Sequence, residues 1–113
     1  GRIAAGAPGT QEARLATAMK TYPEFVSGTN RAELALVRAL PGLLAKSGAE
    51  SVYVVAQPDG EAFALKIEDG AERPLYAVMN RALELAGLAA PLLAERPQIL
   101  GGGHPVGEVR TTF

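Results

Sequence analysis

The sequence predicts an α+β chain in which an antiparallel sheet packs with helices. Three strand-like runs, Leu43 to Lys46, Ser51 to Ala56 and Ala62 to Ile67, are separated only by Ser47-Gly48-Ala49-Glu50 and by a turn around Pro58-Asp59-Gly60. Connections this short permit antiparallel neighbours and exclude crossovers. Helical periodicity brackets these runs on both sides, and no repeat or long structureless stretch interrupts the order.

Residues 1–9 are rich in Gly, Ala and Pro without a period and read as a linker or the remnant of an upstream connection, leaving residues 10–113 as the folded segment. Thr10 is placed to cap a helix running to Tyr22, with Glu12 in its first turn, Leu15 and Met19 as its apolar stripe and Pro23 as its stop. A second helix is expected after Asn30 as cap, with Glu33 completing a capping box, Leu34 and Val37 facing inward, and Pro41-Gly42 ending it. The strand Val52-Tyr53-Val54-Val55 is apolar on both faces and is expected to be central. The third strand alternates Phe63, Leu65 and Ile67 with Ala62, Ala64 and Lys66, and its small-residue face is the expected seat of the last long helix. That helix opens at Pro74 as first helical residue, carries Leu75, Val78, Met79, Ala82, Leu85 and Ala86 on one side, and closes at Gly87. A short apolar turn over residues 88–94, a flexible Gly101-Gly102-Gly103-His104-Pro105 link and a final strand from Val106 to Thr112 complete the reading.

Composition removes several function classes. Eleven basic and twelve acidic residues are interspersed to a net charge of −1, so no footprint for nucleic acid is present. Apolar runs are interrupted well short of the roughly 20 residues a membrane span needs, and a cytoplasmic, non-membrane location is expected. There is no cysteine and only one histidine, His104, which leaves no thiol nucleophile and no cofactor or zinc site of the His/Cys kind in this chain.

The feature with chemistry in it is Lys46-Ser47-Gly48, where a strand meets a tight turn and returns. A lysine on such a strand can line a pocket and shuttle a proton for a serine, while a glycine lets a substrate approach the backbone closely. A chance turn accounts for the same three residues, and only the context separates the two readings. The order strand, Lys-Ser-Gly, returning strand, third strand, closing helix resembles the carboxy-terminal part of the β-lactamase, penicillin-binding-protein and serine-dependent glutaminase fold.

Three longer runs sharpen the resemblance: Tyr22-Pro23-Glu24-Phe25-Val26-Ser27-Gly28-Thr29-Asn30-Arg31, Leu44-Ala45-Lys46-Ser47-Gly48-Ala49-Glu50-Ser51-Val52-Tyr53 and Ala64-Leu65-Lys66-Ile67-Glu68-Asp69-Gly70-Ala71-Glu72-Arg73. Together they are similar to the bacterial L-asparaginase II family, the serine-dependent type with a β-lactamase-like fold, over roughly residues 10–87. The resemblance implies hydrolysis of L-asparagine to L-aspartate and ammonia, with Lys46 as the catalytic lysine and Ser47 and Gly48 beside the substrate. It also implies that the nucleophilic serines and a zinc site lie in an amino-terminal segment of the same protein, so that the isolated chain is expected to be inactive.

Lys66 and Asp69, at the end of the third strand, are candidates for holding the α-carboxylate and α-amino groups of an amino-acid amide. Asp69-Gly70 equally reads as an ordinary turn with Glu68 and Glu72 in water. Glutamine is an alternative substrate, since one methylene shifts discrimination by only about 1–3 kcal/mol. A homo-oligomer is expected, and a non-catalytic binding or assembly module is the competing class, because a sheet face left uncovered would promote association.

Overall fold

The fold is that of a computed structural model, which describes residues 1–88 and 98–113. Its elements run α1 (Gln11–Thr21), α2 (Pro23–Ser27), α3 (Ala32–Ala39), β1 (Leu44–Gly48), a 3-10 turn (Ala49–Ser51), β2 (Val52–Ala56), β3 (Ala62–Lys66), α4 (Leu75–Leu85), β4 (Gln98–Gly101) and β5 (His104–Glu108). The architecture is α+β, with antiparallel pairing throughout the described strands. Of the apolar turn expected over residues 88–94, only Leu88 lies among the described residues.

Local chemistry explains where the helices start and stop. The Thr10 hydroxyl accepts the Ala13 N–H at 3.2 Å, capping α1 as its sequence requires. Pro23 ends α1 and, because its fixed φ suits the first turn, also opens the short helix α2, which was not expected. The capping box at Asn30 does not form. Asn30 sits at φ 58° and Arg31 is the residue flanking α3, so the helix begins one residue later and Glu33 turns inward instead of back. At the far end of α4, Gly87 takes φ 72°; its N–H donates to the Glu84 carbonyl at 3.0 Å, and the Leu88 N–H donates to the Leu83 carbonyl at 2.8 Å. These two bonds are those of a Schellman cap, and Leu88 packs back on the core.

β2 is the central strand of the sheet β1-β2-β3. The register sets Ala45 opposite Val55 and Val55 opposite Phe63, and Ser47 opposite Tyr53 and Tyr53 opposite Leu65, so these six side chains share one face. The core forms there: Tyr53, Val55, Leu36, Leu75, Met79 and Leu83 are buried together, with Phe63 and Leu65 against them. α4 therefore lies on the large-residue face and not on the Ala62–Ala64 face where it was expected. Burial scales with apolar area, and Phe and Leu offer far more of it than Ala. The helix is also rotated from the anticipated stripe: Leu75, Met79 and Leu83, spaced by four, are buried, whereas Leu85 is 63% exposed. In α1 the buried residue is Ala16, with Leu15 turned outward.

The opposite face carries Leu44, Lys46, Gly48, Val52, Val54, Ala56, Ala62, Ala64 and Lys66. One end of it is covered by Ala4, Ala16 and Met19, which pack on Leu44 and Ala56. Residues 1–9 thus run as turns across the sheet end, with the Gly1 amino group donating to the Gly60 carbonyl. Val54, expected to be covered, is 42% exposed. The final strand also differs from expectation: it spans His104–Glu108 and pairs with Gln98–Gly101 as a separate hairpin. Gly102 and Gly103, at φ 57° and 84°, form the tight turn between its strands rather than a flexible link.

Candidate functional site on the open sheet face

Lys46 sits in the middle of β1, and strand alternation turns its side chain to the open face. It is exposed, and its ammonium donates to the neighbouring Ser47 carbonyl at 2.6 Å. Among the described residues no carboxylate comes within ion-pair distance of it. Beside it lies a concavity of about 560 Å³ bordered by Ile3, Ala4, Met19, Leu44, Val54 and Lys46 itself. The walls are apolar and Lys46 projects at the margin, an arrangement that holds a cation against low-polarity surface with its charge uncompensated.

Gly48 shares this face two residues on. Its φ of −125° and ψ of 174° are ordinary strand angles, and an added Cβ would meet Val52 only at 3.5 Å, a normal contact. Neither backbone geometry nor packing within the chain demands glycine there. Gly48 closes β1, and without a Cβ it leaves the backbone there open to close approach.

Ser47 is separated from Lys46 by the same alternation. It points to the helix-covered face, opposite Tyr53, and is half-buried. Of the chain's other two serines, Ser51 is buried with Oγ donating to the Gly70 carbonyl at 2.9 Å, and the Ser27 hydroxyl is buried at the end of α2. The Lys-Ser-Gly run lies within β1 itself, with the turn beginning at Ala49, whereas a strand end had been expected at Lys46.

Lys66 returns to the same face from β3, in the row Gly48–Val52–Lys66. Two strands and two residues separate it from Lys46, roughly 12 Å between Cα atoms. Its ammonium donates to the Glu50 carbonyl at 2.7 Å and to the Ile67 carbonyl at 2.6 Å. The turn it grips is strained: Glu50 and Ser51 have φ of 56° and 53°, each costing about 1–2 kcal/mol for a side-chain-bearing residue. Asp69 is exposed in the following turn, where Oδ1 accepts the Ala71 N–H at 2.9 Å. The structure therefore brings Lys46, Gly48 and Lys66 onto one face and leaves Ser47 and Asp69 off it.

A second polar group lies on the covered face and was read from sequence only as a helix cap and as core tyrosines. The Glu33 side chain is fully buried, its nearest cation the Arg31 Nε at 3.6 Å, and neither carboxylate oxygen has a hydrogen-bond partner among the described residues. The buried Tyr53 hydroxyl is likewise unpartnered. Burial, and then the negative charge of Glu33, push the Tyr53 phenol far above its ordinary range, and the same two causes raise Tyr76. A signal for this was present: Glu33 stands three and four residues before Leu36 and Val37, on the stripe that faces the sheet.

Metal binding of the kind the resemblance implies has no counterpart in these residues. Among the described residues no group of three or more His, Cys, Asp or Glu is arranged to hold a metal ion, and His104 is exposed in the hairpin. No described helix is long and apolar enough to cross a membrane.

No curated protein matches the chain. The family model described as L-asparaginase II matches residues 1–111, nearly the whole sequence and including every element described above. On this match the chain belongs to the L-asparaginase II family.

Proposed function

We propose that the open sheet face is one wall of an amidohydrolase site that converts L-asparagine to L-aspartate and ammonia, with Lys46 as its proton-transfer group. The observation that carries this reading is the placement of Lys46, without an ion-pair partner among the described residues, and of Gly48, whose Cβ position is free of clashes, on the same uncovered face of a family member. A serine Oγ attacks the side-chain carbonyl carbon, its proton passing to the lysine amine. The lysine then protonates the departing nitrogen, and ammonia leaves an acyl-serine ester. Water hydrolyses that ester to aspartate and restores the serine. Gly48 leaves room for the substrate beside the strand, and backbone N–H groups near it are candidates for stabilising the oxyanion.

Among the described residues no serine hydroxyl hydrogen-bonds Lys46, which supports a nucleophile supplied by an amino-terminal segment of the same protein. A β-lactamase-like arrangement, in which the lysine strand faces a helical part bearing the serine, belongs to this proposal. An amide of glutamine fits the same chemistry.

The test is ammonia release from L-asparagine and L-glutamine, measured with this chain alone and with the protein carrying the serine-bearing segment. Hydrolysis only in the second case, abolished by Lys46→Ala, supports the reading. Hydrolysis by this chain alone would overturn the external serine, and undiminished hydrolysis in Lys46→Ala would overturn the role of the lysine.

A further inference from the structure

We infer that Lys66 is a positioning residue: its ammonium pins the strained Ala49–Ser51 turn and thereby the Gly48 end of the strand that carries Lys46. For its catalytic consequence this rests on the reading of Lys46 given above; for its structural content it stands on the turn alone.

Three bonds hold Glu50 and Ser51 of the turn, and a fourth ties the Lys66 ammonium to the adjoining Ile67. Lys66 Nζ donates to the carbonyls of Glu50 and Ile67, at 2.7 and 2.6 Å. Ser51 Oγ donates to the Gly70 carbonyl at 2.9 Å, and the Ile67 N–H donates to the Ser51 carbonyl at 3.1 Å. The sequence of the turn works against its conformation. Two successive positive φ values call for residues such as Asn-Gly, and the chain has Glu50-Ser51 instead. Such a conformation persists when its surroundings over-determine it, and Lys66 supplies the one charged donor among the bonds that hold this turn.

The lever to the site is short. Gly48, Val52 and Lys66 form one cross-strand row, and Lys46 is two residues from Gly48 on the same strand. With one N–H committed to the Glu50 carbonyl of the turn and another to the Ile67 carbonyl beside it, the Lys66 ammonium is drawn away from the Lys46 row. A lysine serving instead as a carboxylate ligand for the substrate would have to abandon both bonds.

The test combines Lys66→Met, Lys66→Arg and Glu50→Gly. Hydrogen exchange at the Ile67 amide reports on the turn in this chain without any assay of activity. Lys66→Met is expected to speed that exchange roughly tenfold or more, and Lys66→Arg, which retains charged donors, to restore most of the protection. Glu50→Gly removes one positive-φ penalty, so Lys66→Met should matter much less in that background. In the protein that carries the serine-bearing segment, Lys66→Met is expected to lower kcat for L-asparagine with KM held, and Lys66→Arg to recover it.

Unchanged Ile67 exchange in Lys66→Met overturns the clamp. A raised KM with kcat unaltered overturns positioning in favour of direct substrate binding. Absence of any hydrolysis by the unsubstituted protein would strike the proposed function, and the exchange measurements would still decide the role of Lys66 in the turn.

Discussion

Val54 and Val55 are neighbours in the same central strand, yet Val55 is fully buried while Val54 is 42% exposed. The difference belongs to the two faces of one sheet. On the covered face, large apolar residues meet α3 and α4 and enclose even a carboxylate and a phenol. On the open face, alanines, a glycine and two lysines leave the strands accessible beside an apolar concavity. The teaching is that one strand pattern has two outcomes: alternation commits one set of residues to the core and leaves the other accessible.

The largest expected effect breaks the comparison at its functional side. Lys46→Ala should reduce asparagine hydrolysis about 10²- to 10⁴-fold, the usual weight of a proton-transfer group, and leave thermal stability almost unchanged because the side chain is exposed. Steady-state kinetics and a melting curve on the same samples check both halves. Next in size is the covered face: Leu83→Ala, at a fully buried position, should destabilise the chain by about 2–5 kcal/mol in a urea titration. The adjacent valines sharpen the contrast. Val55→Ala should cost about 2 kcal/mol and Val54→Ala well under about 1 kcal/mol, and equal costs would mean that the open face is covered in solution.

The smallest effect concerns pH. Burial holds the Tyr53 proton more tightly in the folded chain than in the unfolded one, whose phenol titrates near about 10. Stability from this source is complete below that pH and declines as pH rises above it, because the unfolded state releases its proton first. Tyr53→Phe should flatten that alkaline decline in denaturant titrations and change stability near neutral pH by no more than about 1 kcal/mol, since the hydroxyl it removes is unpartnered.

Much of this was legible before any coordinates. Thr10 as a cap, Gly87 as a helix terminator and the three strands with short turns are local matters, set by capping chemistry, positive φ and period-two patterning. The lysine of the Lys-Ser-Gly run was also visible, as was its resemblance to the family that matches residues 1–111. What escaped was relational. Glu33 read as a capping residue because the box spacing is local, whereas its burial depends on α3 beginning at Ala32 and lying over Tyr53. Nothing in a linear run shows that the Glu50 carbonyl, sixteen residues earlier, is within reach of Lys66.

The sequence by itself determined the elements, their antiparallel order and the presence of a lysine at the heart of the first strand, because these follow from interactions spanning a few residues. Only the tertiary structure decided which face of the sheet the helices cover. That choice rests on comparing the apolar area of two faces assembled from three strands, and it placed Lys46 in the open, Ser47 beneath it and Lys66 against a turn.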